Sequence, residues 1–161
     1  MTKKQIKENI SGLSKAQLVD LILDLSSVKG VKDRLDNRFM TEEQRKQRDN
    51  ELFDKAYDDI FHAFHPARLH IAKGCVSKST KAINEFKAIC DDKDMLAELL
   101  VHQIEMISKC FGLLEGELYY NSMVNTTERN VKFLVRNGYV REFLPRLKTA
   151  LKEIDGDYDL V

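Results

Sequence analysis

Residues 92–111, DKDMLAELLVHQIEMISKCF, decide the fold class. Met95, Leu96, Leu99, Ile104, Ile107 and Phe111 recur at helical spacing, so winding this stretch into an α-helix gathers them into one apolar stripe that other elements must cover. Asp91 and Asp92 stand where a helix N-terminus favours a capping oxygen and negative charge. The same period runs outward in both directions through 161 residues, interrupted by only seven glycines and two prolines, and no segment alternates as a half-buried strand does. The pattern predicts an all-α protein, a multi-helix bundle.

Towards the C-terminus, further helices are expected at about 79–90, 115–137 and 140–154. Asn137-Gly138 is a strong stop between the last two, because glycine accepts the left-handed conformation that closes a helix, and Lys132 and Arg136 suit the negative end of the dipole. The final helix would bury Val140, Phe143, Leu144, Leu147, Leu151 and Ile154, with Pro145 as a potential kink. Short links between long amphipathic helices predict stacked antiparallel hairpins over 79–154.

Towards the N-terminus, a short helix presents Ile6 and Ile10, and Ser14 caps a second one carrying Leu18, Leu21, Ile22 and Leu25. Val31 to Phe39 offers another helical stretch. Thr41-Glu42-Glu43-Gln44 matches a capping box and opens a long charged helix, 41–64, that turns apolar from Leu52 onward. Pro66 ends it, because the residue before a proline is pushed out of the α region. The connection 65–78 is irregular, with Ser77 or Ser79 expected to cap the next helix, and 155–161 is an acidic tail. The expected organisation is one helical domain, with N-terminal helices in 1–40.

Lys plus Arg and Asp plus Glu each number 26, so the formal charge is zero and bulk charge cannot drive nucleic-acid binding. Three widely spaced cysteines, Cys75, Cys90 and Cys110, fit reduced thiols packed as small hydrophobes. No apolar run reaches the roughly 18 residues that span a bilayer, and Thr2-Lys3-Lys4-Gln5 leads into no apolar leader core. A soluble cytoplasmic protein with no membrane partner and no cofactor is the expectation.

Three constellations carry potential chemistry. Asp58, His62, His65 and His70, with Cys75 beyond them, are candidate metal ligands, since Asp58 to His62 and His62 to His65 have one-face helical spacings. Against convergence, Phe61, Ala63 and Phe64 interleave with the histidines. Gly74-Cys75-Val76-Ser77-Lys78-Ser79-Thr80 has a superficial likeness to a phosphate loop, but it lacks the glycine before the lysine and a preceding strand. It reads as a loop entering a capped helix. Charge, finally, is segregated. Residues 64–90 carry five cations against Glu85, 91–128 eight acids against two lysines, 129–152 seven cations against Glu142, and 153–161 four acids. Charge matching between neighbouring helices explains that alternation. The other explanation is a basic face of Arg68, Lys73, Lys78, Arg129, Lys132, Arg136 and Arg141 that attracts a polyanion. Glu98, His102 and Glu105 share a helix face whose expected state is solvent exposure.

The segment Leu13-Ser14-Lys15-Ala16-Gln17-Leu18-Val19-Asp20-Leu21-Ile22-Leu23-Asp24-Leu25, with Val31 to Leu35, resembles the opening helices of a small family of uncharacterised bacterial helical proteins. The resemblance continues through Lys81-Ala82-Ile83-Asn84-Glu85-Phe86-Lys87 and Tyr119-Tyr120-Asn121-Ser122-Met123. The first segment is also similar to the helical region beside SWIM-type zinc fingers, whose own Cys and His signature is absent here. The resemblance implies a tetratricopeptide-like helical fold and carries over no activity. These readings together favour a non-enzymatic protein-interaction or regulatory module. Nucleic-acid binding through the basic face around Arg68 and the last two helices is the alternative, and a metal-dependent enzyme using His62, His65 and His70 the third.

Overall fold

The computed structural model describes residues 2–28, 31, 38–65, 74–111 and 117–154. Seven α-helices and no strand lie among them: α1 (Lys3–Ser11), α2 (Lys15–Ser26), α3 (Glu42–Phe64), α4 (Cys75–Ile89), α5 (Lys93–Cys110), α6 (Glu117–Arg136) and α7 (Val140–Ile154). The chain divides into two compact units, residues 1–47 and 48–161.

In the first unit the helices are defined by their caps. Thr2 and Ser14 each form a capping box with the glutamine three residues on, the cap oxygen accepting from the Gln backbone N–H and the Gln side chain accepting from the cap N–H. Thr41 and Gln44 repeat the device at the start of α3, as the sequence predicts. No residue of α1 or α2 is buried. Of the expected Val31–Phe39 helix, residues 32–37 lie outside the described residues.

The second unit is organised around α5. Twelve residues of this helix are buried, including Val101, His102, Gln103 and Ser108 off the expected stripe, so it is covered on every side. Tyr57 of α3 lies against His102, and Cys110 Sγ contacts the Phe64 carbonyl oxygen, so α3 and α5 run in the same direction. Tyr139 at the start of α7 donates to Asp94 at the start of α5, and Arg146 reaches Glu98 and Glu105, so α7 runs that way too. The intervening helices return. Gln103 of α5 bonds Ser79 and Thr80 near the start of α4, while Phe111 meets Tyr120 near the start of α6 and Asn130 bonds back to Leu100. Ile60, Phe64, Phe86, Leu99, Ile104, Ile107, Leu134 and Leu147, all at most 2% exposed, fill the shared core.

Helix α4 begins four residues before the expected start at 79, its N-cap lying three residues ahead of Ser77 and five ahead of Ser79. Gly74 sits at its N-cap with φ +87° and no side-chain cap, Ser77 Oγ donates to the Gly74 carbonyl, and Ser79 is buried in the helix interior. Apolar contact made by Cys75 and Val76 stabilises the extra turn. The phosphate-loop look-alike is therefore mostly helix, and Lys78 is an exposed residue on its first turn. Pro145 lies within a continuous α7, at an exposed position. Residues 66–73 and the acidic tail 155–161 lie outside the described residues.

Helix α6 closes as expected. Gly138 takes φ +81°, its N–H donates to the Val135 carbonyl, and the Tyr139 N–H donates to the Leu134 carbonyl, the two bonds of a Schellman motif. A Cβ at Gly138 would meet nothing within 4 Å, so only backbone conformation opposes alanine there. Gly138→Ala should destabilise the chain by about 1 kcal/mol, read as a lower urea midpoint at unchanged slope; an unchanged midpoint would show that the left-handed closure carries no cost.

Candidate functional site

Two turns of α5 place Glu98, His102 and Glu105 on one stripe, facing α3 on one side and α7 on the other. This stripe is not solvent-exposed as the sequence predicts. His102 is 5% exposed, and its ring stacks on Tyr57 with centroids 3.6 Å apart and planes 11° from parallel. Arg146 of α7 spans both carboxylates. Its Nε and Nη2 donate to the two oxygens of Glu105 at 2.7 and 2.8 Å, and its Nη1 donates to Glu98 Oε1 at 2.6 Å. The guanidinium fork matches a carboxylate in a way a lysine cannot. Phe143, one turn back on α7, lies with its ring centroid 5.6 Å from the Arg146 Cζ.

The electrostatics follow from this geometry. The hydrogen bonds from Arg146 hold the Glu105 carboxyl below its ordinary range, and the two carboxylates raise Arg146. Desolvation pushes His102 below 6.5 and outweighs the attraction of Glu105, whose Oε2 lies 4.0 Å from Nδ1. Lys109 and Arg146 push it the same way, so the site favours the neutral imidazole over the charged form. Its Nε2 finds no hydrogen-bond partner among the described residues. Burial, then the carboxylates of Glu105 and Glu98, raise the Tyr57 phenol. At the other end of α7, the hydrogen bond to Asp94 pushes Tyr139 up to about 12.

Beside the Arg146 clamp, α5 and α7 leave a groove of about 710 Å³. Phe111, Pro145 and Ala150 give it apolar wall, Ser108 and Thr149 add hydroxyls, and Lys109 and Glu153 bring opposite charges to its rim. Neither of those two charges is in an ion pair among the described residues.

None of the described candidate metal ligands or basic-face residues lines this groove. Asp58, His62 and His65 are exposed on α3 or just past its end, with Phe61 stacked on His65 at 5.0 Å and edge-on to His62. No group of three or more His, Cys, Asp or Glu is placed to hold a metal ion among the described residues, which do not include His70. Of the basic set, Arg68 and Lys73 also lie outside them. Lys78, Arg129, Lys132, Arg136 and Arg141 are exposed, and Glu128 pairs with Lys132 at 2.9 Å. The three cysteines are free and buried, and burial raises all three thiols.

Arg146 escaped the sequence reading as a site residue because it sits beside the apolar stripe of α7, where a cation is usually solvated. The available signal was the pairing of Glu98 and Glu105 seven residues apart with a strongly basic neighbouring helix.

All described structure is thus helical, with a buried helix clamped to its neighbour by a charged fork. A family model matches residues 1–155, and the chain belongs to that family, a family of unknown function (DUF6155). No curated protein and no solved structure matches the chain. No helix is long and apolar enough to cross a membrane among the described residues.

Arg146→Met leaves two carboxylates without their partner and should cost about 1–3 kcal/mol, limited by partial exposure, with Arg146→Lys recovering only part of it in urea denaturation. Stability should also fall in acid in two stages. His102 is depressed below 6.5 in the folded state, so its contribution is complete above that pH and declines as protons bind the unfolded chain below it. Glu105, held below 4.5, adds a second loss as the pH falls below that value. His102→Gln should flatten the first stage and leave the second, measured by chemical denaturation across a pH series.

Proposed function

We propose that this chain is a non-enzymatic protein-interaction module whose working surface is the groove between α5 and α7. The groove itself carries the reading: it is bounded by two helices running the same way, has an apolar wall, and has on its rim one charge of each sign that is in no ion pair among the described residues. The occupant that fits is a segment of another protein with an apolar anchor, an acidic residue towards Lys109 and a basic residue towards Glu153. Glu98 and Glu105 are committed to Arg146, which supports a positioning role for these carboxylates rather than acid–base work.

The direction of the helices supports the finer architecture. With α3, α5 and α7 parallel and α4 and α6 returning between them, the order fits α3–α4 and α5–α6 as hairpins of a tetratricopeptide-like stack, with α7 following as the next first helix. Such stacks bind partner segments along the face formed by those first helices. The unpaired, buried thiols support a reducing, cytoplasmic setting.

A photo-crosslinking residue at the exposed Thr149 tests the reading in cells, with a control at exposed Glu85 on α4. The expected result is one protein segment attached at Thr149 and not at Glu85, insensitive to nuclease. Its yield should drop about threefold to tenfold in Lys109→Glu or Glu153→Lys with thermal stability unchanged. Equal labelling at both positions, capture lost on nuclease treatment, or indifference to both charge reversals would overturn it.

A further inference from the structure

The face of α5 that carries Gln103 meets α4 and α6 over a second, separate cavity of about 190 Å³. Three helical stripes line it. Its apolar walls are Ile83, Leu96, Leu100 and Phe133. Lys87 and Arg129, both exposed, stand on its lining, and neither is in an ion pair among the described residues.

Its polar floor has a direction. Gln103 is fully buried and gives both amide hydrogens away, to Ser79 Oγ at 2.7 Å and Thr80 Oγ1 at 3.1 Å, while Ser79 passes its own proton to the Val76 carbonyl. The Gln103 oxygen must then accept, and Asn130 Nδ2 donates to it at 2.8 Å. The same Asn130 nitrogen lies 3.5 Å from the Leu100 carbonyl. With its nitrogen so engaged, Asn130 leaves its Oδ1 as an acceptor that receives no donor from the described residues. In this arrangement the oxygen stays open to a donor from solvent or a ligand. Two cations with no ion pair among the described residues, an apolar wall and an open acceptor therefore line one partly open cavity.

We propose that this cavity binds a small organic anion. Its carboxylate or phosphate is held by Lys87 and Arg129, its apolar body lies against Leu96, Leu100 and Phe133, and an N–H or O–H at its far end donates to Asn130 Oδ1. Water alone would satisfy Asn130, yet it would leave both cations and the apolar wall unused. The site touches three helices of the second unit, so occupancy would tie α4, α5 and α6 together. It shares no residue with the groove between α5 and α7 and stands whether or not that groove binds a partner.

The test is an NMR titration of the full ¹⁵N-labelled chain with 4-hydroxybenzoate, phenyl phosphate and the neutral 4-hydroxybenzyl alcohol. The side-chain amides of Gln103 and Asn130 should shift saturably with at least one of the two anions and much less with the alcohol. The preferred anion then separates a carboxylate from a phosphate ligand. Lys87→Glu and Arg129→Glu, at exposed positions that leave the thermal midpoint unchanged, should each weaken binding about tenfold. Failure of both anions to give a saturable shift, equal binding of the neutral alcohol, or affinity unaltered by both charge reversals would overturn the proposal.

Discussion

A helix covered on every side must find a partner for each polar group it carries, because a buried donor, acceptor or charge without one costs more than most apolar contacts return. Helix α5 is in that position. Its sequence places Glu98, His102, Gln103 and Glu105 among apolar residues, and the neighbouring helices answer most of their polar groups: Arg146 the carboxylates and Ser79, Thr80 and Asn130 the amide, while Tyr57 stacks on the His102 ring, whose Nε2 has no partner among the described residues. These contacts are more directional than the apolar packing around them. They set the rotation of α5 about its own axis and the heights at which α4, α6 and α7 cross it, because sliding any of them by one turn would break several hydrogen bonds together.

Partial exposure gives the Arg146 clamp its character. Its side chain and those of Glu98 and Glu105 are between a quarter and about a third exposed, so the ions keep part of their hydration while the fork fixes their geometry. The contact joins the most acidic stretch of the chain to the most basic one. Charge alternation along the sequence is thereby resolved in part as matching between helices, with Tyr139 and Asp94 adding a neutral-to-charged bond at the other end of the same pair. The exposed cations at Arg129, Arg136 and Arg141 remain on the surface, where they shape the field around the α4–α6 cavity and the far side of α6.

Local physics was legible in advance where the determinant is a few residues long. The Ser14 cap, the Thr41 box, the Asp92 cap and the Gly138 closure depend on side-chain oxygens or a missing Cβ within one turn, and each lies where the spacing implies. The start of α4 was misread for a related reason. Serine at 77 and 79 signals a cap only if nothing upstream can continue the helix, and the burial of Cys75 and Val76 continues it. The Glu98–His102–Glu105 stripe was misread because three polar residues at helical spacing look identical whether they face water or a complementary neighbour. Among the described histidines of the metal reading, one-face spacing is accompanied by contact with Phe61 rather than with each other, stacked on His65 and edge-on to His62.

By itself the sequence determined the helical class, most helix boundaries and the apolar residues of the core, since these follow from periodicity, caps and the cost of exposing hydrocarbon. Only the tertiary structure decided which helix would be enclosed, that Arg146 would bridge two carboxylates, that His102 would be buried, and where the groove and the polar-floored cavity would open. Those outcomes depend on which faces of helices distant in the chain meet, and no local pattern of residues encodes the identity of the partner that supplies a missing hydrogen bond.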